Sequence, residues 1–192
     1  MSAPVKAPTL DTLILKAGAH SSREDGVCVM EAAAWLAGLE HSDAPACVSP
    51  VIRAFCAAWN DAIPDDHTRT RLLRPLLPVI LDTRSTPEVE ERRSFMALDW
   101  LIREHLPAWL DLVPALQPHA DALRAADPIT SLVSASAIRP LVLAARKEAA
   151  ARAAAWDAAL AAARDALKPT AERLQLSAQD LVRRMCAEGG AS

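Results

Sequence analysis

Aromatic residues are scarce in this sequence: its 192 residues include two phenylalanines, five tryptophans and no tyrosine. Glycine is also rare, with five residues, whereas alanine is abundant, above all in the C-terminal third. Strands favour aromatic and β-branched residues, and alanine is the strongest helix former. The composition therefore predicts an all-α fold, which we expect to be a compact multi-helix bundle.

Long hydrophobic runs are absent as well. No apolar stretch reaches the roughly 20 residues that a membrane-spanning helix needs, and the first ten residues, MSAPVKAPTL, contain no hydrophobic signal core. We therefore expect a cytoplasmic protein without a membrane partner. The net charge of -3 argues against a general affinity for duplex nucleic acid, which is a polyanion.

Paired metal-binding motifs are also missing, since the chain contains no CxxC, HxxxH or HExxH. Its four cysteines are widely and irregularly spaced: Cys28, Cys47, Cys56 and Cys186. In a reducing cytosol such cysteines are expected to be free thiols rather than disulfides.

Helix starts are marked most clearly by Ser-Pro at residues 49–50 and Thr-Pro at residues 86–87. In both places a capping residue precedes proline at the first helical position. The apolar pattern of residues 27–36 predicts a further, central helix, for which Ser22 or Asp25 would supply the cap.

The chain is predicted to begin with a loose tail at residues 1–9, followed by a helical core domain at 10–137. A long Ala-rich helical segment at 138–187 would pack on that core or on a second subunit. We expect the weakly patterned residues 129–139 to form a loop, and Pro169 to break or kink the last helical run.

Reactive side chains are concentrated between residues 20 and 47, and one interpretation is a metal site. Its ligands would be His20, Cys28, His41 and Cys47, with Asp25, Glu31 or Asp43 as further ligands. Imidazole and thiolate suit zinc, and a closed structural site needs four such donors. The alternative is that the cysteines are small buried hydrophobes and the histidines lie on the surface.

A second interpretation makes Cys28 a nucleophile, because a thiol near a helix N-terminus has a lowered pKa. His20 or His41 would act as the base, oriented by Asp25 or Asp43. The apolar sequence around Cys28 argues instead for a core cysteine.

Two polar groups elsewhere also allow two interpretations. The first is Asn60, Asp61, Asp65, Asp66 and His67, and the second is Arg84, Arg92 and Arg93. Clustered carboxylates can bind a divalent cation, but Asn and Asp are also the ordinary caps between helices. The arginines could hold a phosphate at a helix N-terminus, or form solvated ion pairs on a helix face.

The C-terminal third suggests protein–protein contact. Small and large apolar residues alternate there in steps of four and three, as in a coiled-coil seam. The seam consists of Ala149, Ala153, Trp156, Leu160, Ala163 and Leu167. Residues 170–185 faintly resemble a helix-turn-helix, but their apolar spacing fits a single helix better.

Several stretches together resemble one family. They are DGVCVMEAAAWLAG, HSDAPACVSPVIRAF, WNDAIPDD and TRSTPEVEERRSFMALDWLIREHLPAWL. The chain resembles, over roughly residues 10–186, a family of uncharacterised helical proteins from actinobacteria and their phages. Members of this family end in a helix rich in Ala, Trp, Asp and Arg, and the resemblance implies no activity or cofactor.

These observations predict a non-enzymatic interaction or regulatory protein that self-associates through its Ala-rich segment. The alternative is a metal-binding protein or a cysteine-dependent enzyme with its site at His20, Cys28, His41 and Cys47. Zinc is the cofactor that the alternative would require.

Overall fold

The computed structural model describes residues 9–152 and 164–189. All regular elements in these ranges are helical, so the prediction of an all-α fold is confirmed. The α-helices are α1 (Val29–Leu36), α2 (Pro50–Ala62), α3 (Asp66–Leu73), α4 (Leu77–Ile80), α5 (Pro87–Trp100), α6 (Leu106–Leu110), α7 (Gln117–Ala125), α8 (Leu132–Ala151) and α9 (Arg164–Ala187). Across the described part of the chain, no helix combines the length and apolarity needed to cross a bilayer.

Helices α2 and α5 begin where their Ser-Pro and Thr-Pro signals predicted. The hydroxyl of Ser49 accepts a hydrogen bond from the backbone N–H of Ile52 at 3.3 Å, and Pro50 opens α2. Pro87 opens α5 in the same way. Proline costs nothing at this position because the first N–H groups of a helix have no partner within it.

The predicted cap of α1 is wrong. Cys28, rather than Ser22 or Asp25, occupies the N-cap position. The carboxylate of Asp25 instead accepts hydrogen bonds from the hydroxyls of Ser21 and Ser22, each at 2.8 Å. These bonds close a turn just ahead of the helix, which leaves the cap to the residue that follows it.

Prolines divide the middle of the chain into short helical pieces. The segment around Pro75 and Pro78 splits into a 3-10 turn and α4. Ahead of Pro107, residues Leu101–His105 widen into a π-helical turn, in which the N–H of Leu106 bonds to the carbonyl of Leu101. Proline lacks an N–H and crowds the carbonyl one turn earlier, which accounts for the change of pitch.

Two expectations for the C-terminal half concern a loop and a proline, and the predicted loop is wrong. Residues 129–139 are not a loop, because α8 starts at Leu132 with a capping box formed by Ser131 and Ser134. Of the two outcomes expected at Pro169, a break does not occur, because α9 continues through it to Ala187. Pro169 lies in the second turn, where a proline removes one backbone hydrogen bond from a helix of 24 residues.

The chain divides into two compact units. One contains the residues up to Arg93 together with those from Val182 onward, and the other runs from Ser94 to Leu181. Helices α5 and α9 therefore contribute residues to both units. The domain boundary predicted between residues 137 and 138 falls inside α8.

The first unit is built around α1. Every residue from Val29 to Ala34 is buried, and α1 contacts both α2 and α4. Ile52 and Cys56 of α2 are fully buried, as are Leu77 and Ile80 of α4. This burial on all sides explains why the sequence of α1 is apolar around its circumference except at Glu31.

The second unit has a core of its own in which α7 contacts both α6 and α8. Its buried residues are Leu110, Leu116, Ala120, Leu123, Ile129, Ile138 and Ala145. Ile138 and Ala145 are two turns apart on α8, so one side of that helix faces this core.

Candidate functional site

The polar centre of the first unit is the carboxylate of Glu31, a side chain that sequence reasoning placed only among possible further metal ligands. Glu31 is 1% exposed and lies in the first turn of α1. Its Oε2 accepts the backbone N–H of Cys28 at 2.8 Å, while its own N–H lies 3.5 Å from the Cys28 sulfur. Together these contacts form a capping box in which cysteine replaces the usual serine or threonine.

Two histidines converge on the same carboxylate. The backbone N–H of His20 donates to Oε1 of Glu31 at 2.7 Å, and Nδ1 of the His20 ring lies 2.8 Å from Oε2. Nε2 of His41 lies 2.8 Å from the carbonyl oxygen of His20 and 3.7 Å from Oε1 of Glu31. The loops on either side of α1 are thereby fastened to its first turn.

The charge of Glu31 follows from these bonds. Burial alone would raise its pKa, but the hydrogen bonds from the backbones of His20 and Cys28 and from the His20 side chain outweigh it and lower the pKa. An ionised carboxylate only accepts hydrogen bonds, so Nδ1 of His20 carries a proton. Nε2 of His41 carries one for the same reason, because its partner is a carbonyl oxygen. The arrangement is a clamp around a buried anion.

Cys28 is not activated as a nucleophile. Burial raises the pKa of its thiol to about 11, and the nearby negative charge of Glu31 acts in the same direction. This is opposite to the lowering that the helix N-terminus predicted. At neutral pH Cys28 is therefore a protonated thiol that caps a helix.

The four residues predicted to bind metal do not form a ligand set. Within the described ranges, no group of three or more His, Cys, Asp or Glu residues is arranged to hold a metal ion. Cys47 is partly buried, and its carbonyl oxygen accepts the backbone N–H of Arg84. Asp43, the predicted orienting residue, is exposed. Because Glu31 already occupies Nδ1 of His20, the geometry gives no support to a zinc centre here.

Asn60 and Asp61 hold the chain segment that precedes α1. Oδ1 of Asn60 accepts the N–H of Val29 at 3.2 Å, and its Nδ2 donates to the carbonyl of Lys16 at 2.9 Å. Oδ1 of Asp61 accepts the N–H of Gly18 at 2.8 Å. Both residues lie inside α2 and bond to a distant chain segment, so the prediction that they cap the junction between two helices does not hold for them.

The remaining members of that group lie at the start of α3. Asp65 is its N-cap and accepts the N–H of Thr68 at 2.8 Å. Asp66 forms an ion pair with the buried Arg69, and His67 is exposed. The carboxylates are therefore used in capping and pairing.

Two arginines are buried and bond to helix ends, a structural role that the sequence did not predict. Arg69 donates from Nε to the carbonyl of Asn60 at 2.8 Å and from Nη2 to the carbonyl of Ile63, at the end of α2. Arg93 donates from Nε to the carbonyl of Met185 at 2.8 Å, near the end of α9. The last carbonyls of a helix lack partners within it, and each guanidinium supplies one.

The predicted anion site at Arg84, Arg92 and Arg93 is not formed, because the side chains of Arg92 and Arg93 are engaged elsewhere. Arg93 is 1% exposed and also bonds to the carbonyl of Thr83 and to Glu90. Arg92 pairs with Glu188 at 2.6 Å on the surface. The ion-pair interpretation therefore fits Arg92, while Arg93 belongs to the core.

An aromatic group surrounds the π-helical turn of the second unit. The ring of His105 lies between Trp100 and Trp109, with centroids 5.1 and 6.1 Å away. Nε1–H of Trp109 donates to Nε2 of His105 at 3.2 Å, and burial lowers the pKa of that histidine. Both effects favour a neutral, partly buried ring that packs against the two tryptophans.

The predicted interaction seam is only partly within the described residues. Ala153, Trp156, Leu160 and Ala163 lie outside them. Ala149 packs against the core of the second unit, and Leu167 is half-buried. Residues 170–185, which faintly resembled a helix-turn-helix, are one continuous stretch of α9.

Comparisons of the chain with protein-family models, with curated proteins and with solved structures find no match. The resemblance to an actinobacterial and phage family therefore stays a prediction, and function has to be argued from the residues themselves.

Proposed function

We propose that this chain is a non-enzymatic helical interaction protein that associates with a second copy of itself through the outer face of α8. The observation that carries the proposal is the exposure of large apolar side chains on that helix. Leu132 and Val133 are 73% and 80% exposed, and Leu141 and Leu143 are 37% and 49% exposed. Clustered exposure of this kind is typical of a surface that meets another protein.

Of these four residues, Val133 lies on one stripe of the outer face, and Leu132 and Leu143 lie beside that stripe. Val133, Ala137, Pro140 and Ala144 are all exposed and follow one another in steps of four, three and four. That spacing places them on one stripe of α8, while Ile138 and Ala145 face the core from the other side. The stripe is distinct from the predicted seam, since Ala149 faces the core.

A second copy of the chain fits this stripe for two reasons. Small side chains at Ala137 and Ala144 allow the backbone of another helix to approach closely. In a two-fold symmetric pair the same patch serves both partners, so the surface has only to complement itself. An antiparallel pair centred near Pro140 would hold the two Lys147 ammonium groups about 20 Å apart, where they repel little.

The test compares two variants of the full chain by light scattering. Val133→Glu puts a charge on the stripe, and we expect it to shift the molar mass per particle from that of a dimer to that of one chain, 20.6 kDa. Val79→Glu is the matched control, because Val79 is also an exposed valine but belongs to α4 in the first unit rather than to α8. It should leave the mass of the wild type unchanged.

Two results would contradict the proposal. One is a wild-type chain that is monomeric at every concentration. The other is a dimer that Val133→Glu and Val79→Glu weaken equally, because the added negative charge rather than its position on α8 would then be responsible. The cytoplasmic location and the regulatory role remain predictions from the sequence.

A further inference from the structure

A groove in the first unit is unrelated to both the Glu31 clamp and the α8 stripe. It has a volume of about 520 Å³ and is lined by Ile14, Asp66, His67, Thr70, Arg71 and Arg74. Five of these residues lie along one side of α3 and the turn that follows it, and Ile14 comes from the extended segment beside them. The hydroxyl of Thr70 joins the two walls by accepting the N–H of Leu15 at 2.9 Å.

The groove carries two positive charges that the protein itself does not neutralise. Arg71 is exposed and makes no hydrogen bond or ion pair with any residue in the described ranges. Arg74 is held in place from one nitrogen only, Nη1, which donates to the carbonyl of Asp11 at 2.7 Å. The carboxylate in the lining, Asp66, is already paired with Arg69. The free charge of the lining is therefore positive.

An apolar contact lies next to these charges. The side chain of Ile14 is 64% exposed, although Leu13 and Leu15 on either side of it are buried. A large aliphatic side chain in water beside two guanidinium groups offers both a charged and an apolar contact to one ligand. Ligand sites commonly combine a few placed polar groups with apolar surface in this way.

We propose that this groove binds a small anion, a carboxylate or phosphate, that carries an aliphatic group. The anionic end lies between Arg71 and Arg74, because a guanidinium offers parallel N–H donors that match both kinds of oxyanion. The aliphatic end covers Ile14. Arg74 is already oriented by its bond to Asp11, so little side-chain freedom is lost there when the ligand binds.

The experiment follows backbone amide signals of the full chain by NMR during titration with four probes. Hexanoate and hexyl phosphate carry both ends of the proposed ligand, acetate carries the charge alone, and hexylammonium carries the same tail with the opposite charge. We expect the first two to shift the signals of Ile14, Arg71 and Arg74, and hexanoate to bind more tightly than acetate. The tighter of the two hexyl probes identifies the preferred headgroup.

The variant Arg71→Gln should weaken hexanoate or hexyl phosphate binding by about tenfold. Its melting temperature should stay that of the wild type, since Arg71 has no partner to lose. Arg146→Gln is the matched control, an exposed arginine of the second unit, and should bind as the wild type does.

The proposal is overturned if neither hexyl probe moves the groove signals. It is also overturned if hexylammonium moves them as much as hexanoate does, or if Arg71→Gln and Arg146→Gln weaken binding equally. None of these outcomes depends on self-association through α8.

Discussion

Buried charges of the first unit stabilise helix ends. Glu31 accepts a backbone N–H at the start of α1, and Arg69 and Arg93 donate to carbonyls at the ends of α2 and α9. A buried charge is tolerated when it is paired and hydrogen-bonded, and it is costly when it loses its partners. Substitutions at these positions should therefore be far more disruptive than similar changes on the surface.

Glu31→Gln tests the clamp. The variant keeps the shape of the side chain, but one carboxylate oxygen becomes an amide NH2 group. That group cannot accept the hydrogen bonds that backbone and histidine N–H groups donate to Glu31. We expect it to lower the free energy of unfolding by about 2 kcal/mol at pH 7, measured by urea denaturation. Glu24→Gln, at an exposed glutamate, should change it by less than about 0.5 kcal/mol.

The effect of Glu31→Gln should also depend on pH. The pKa of Glu31 in the folded protein is below its ordinary value of 4.5, so the unfolded chain binds the proton more tightly. The stabilisation is complete above about pH 4.5 and is lost as the pH falls through the lowered pKa. The difference between wild type and variant should therefore shrink between pH 5 and pH 3. A constant difference over that range would show that the charge of Glu31 is not what stabilises the clamp.

Arg93→Met removes the buried guanidinium but keeps most of its apolar volume. Carbonyls of Thr83 and Met185 and the carboxylate of Glu90 would lose a donor. We expect a loss of about 3 kcal/mol in urea denaturation. Arg92→Met, which breaks only the surface pair with Glu188, should cost less than about 1 kcal/mol. Equal losses would mean that the position of Arg93 in the core is not what matters.

Part of the candidate site could be predicted from the sequence. Histidines 20 and 41 do meet near Cys28, but Glu31, not a metal, is at their centre. The three-residue spacing of Cys28 and Glu31 is that of a capping box and is local. The approach of the two histidines depends instead on how two loops fold back onto α1, which no local spacing encodes. The same holds for Arg93, whose partner Met185 is 92 residues away along the chain.

At the scale of elements, the start of α8 depends on two serines. The hydroxyl of Ser131 accepts the N–H of Ser134 at 3.2 Å, and the hydroxyl of Ser134 accepts the N–H of Ser131 at 3.0 Å. Ser131→Ala should reduce stability by about 1 kcal/mol and speed amide hydrogen exchange in the first turn of α8. Ser136→Ala, exposed on the same helix, should do neither. Unchanged exchange in Ser131→Ala would argue against this cap.

Helix boundaries were predictable where the signal is local. Ser49 and Pro50 are adjacent, and a cap followed by proline leaves few alternatives for the backbone. The start of α8 was missed because Ser131 and Ser134 lie in a weakly patterned stretch that also suits a loop. Its helical state depends on burying Ile138 and Ala145 against the core of the second unit, which is a tertiary effect.

At the scale of the whole molecule, α8 has two surfaces of different exposure. Its inner side completes the core of the second unit, whereas its outer stripe leaves Val133 exposed to water. Burying one large apolar side chain is worth about 1.5–3 kcal/mol. A symmetric pair buries two copies of the stripe, which favours association as the concentration rises.

Sedimentation equilibrium of the wild-type chain over a range of concentrations tests the central claim most directly. We expect the mean molar mass to rise with concentration from 20.6 kDa towards twice that value, and to remain at 20.6 kDa in Val133→Glu. A wild-type mass that stays at 20.6 kDa at all concentrations would contradict self-association through α8.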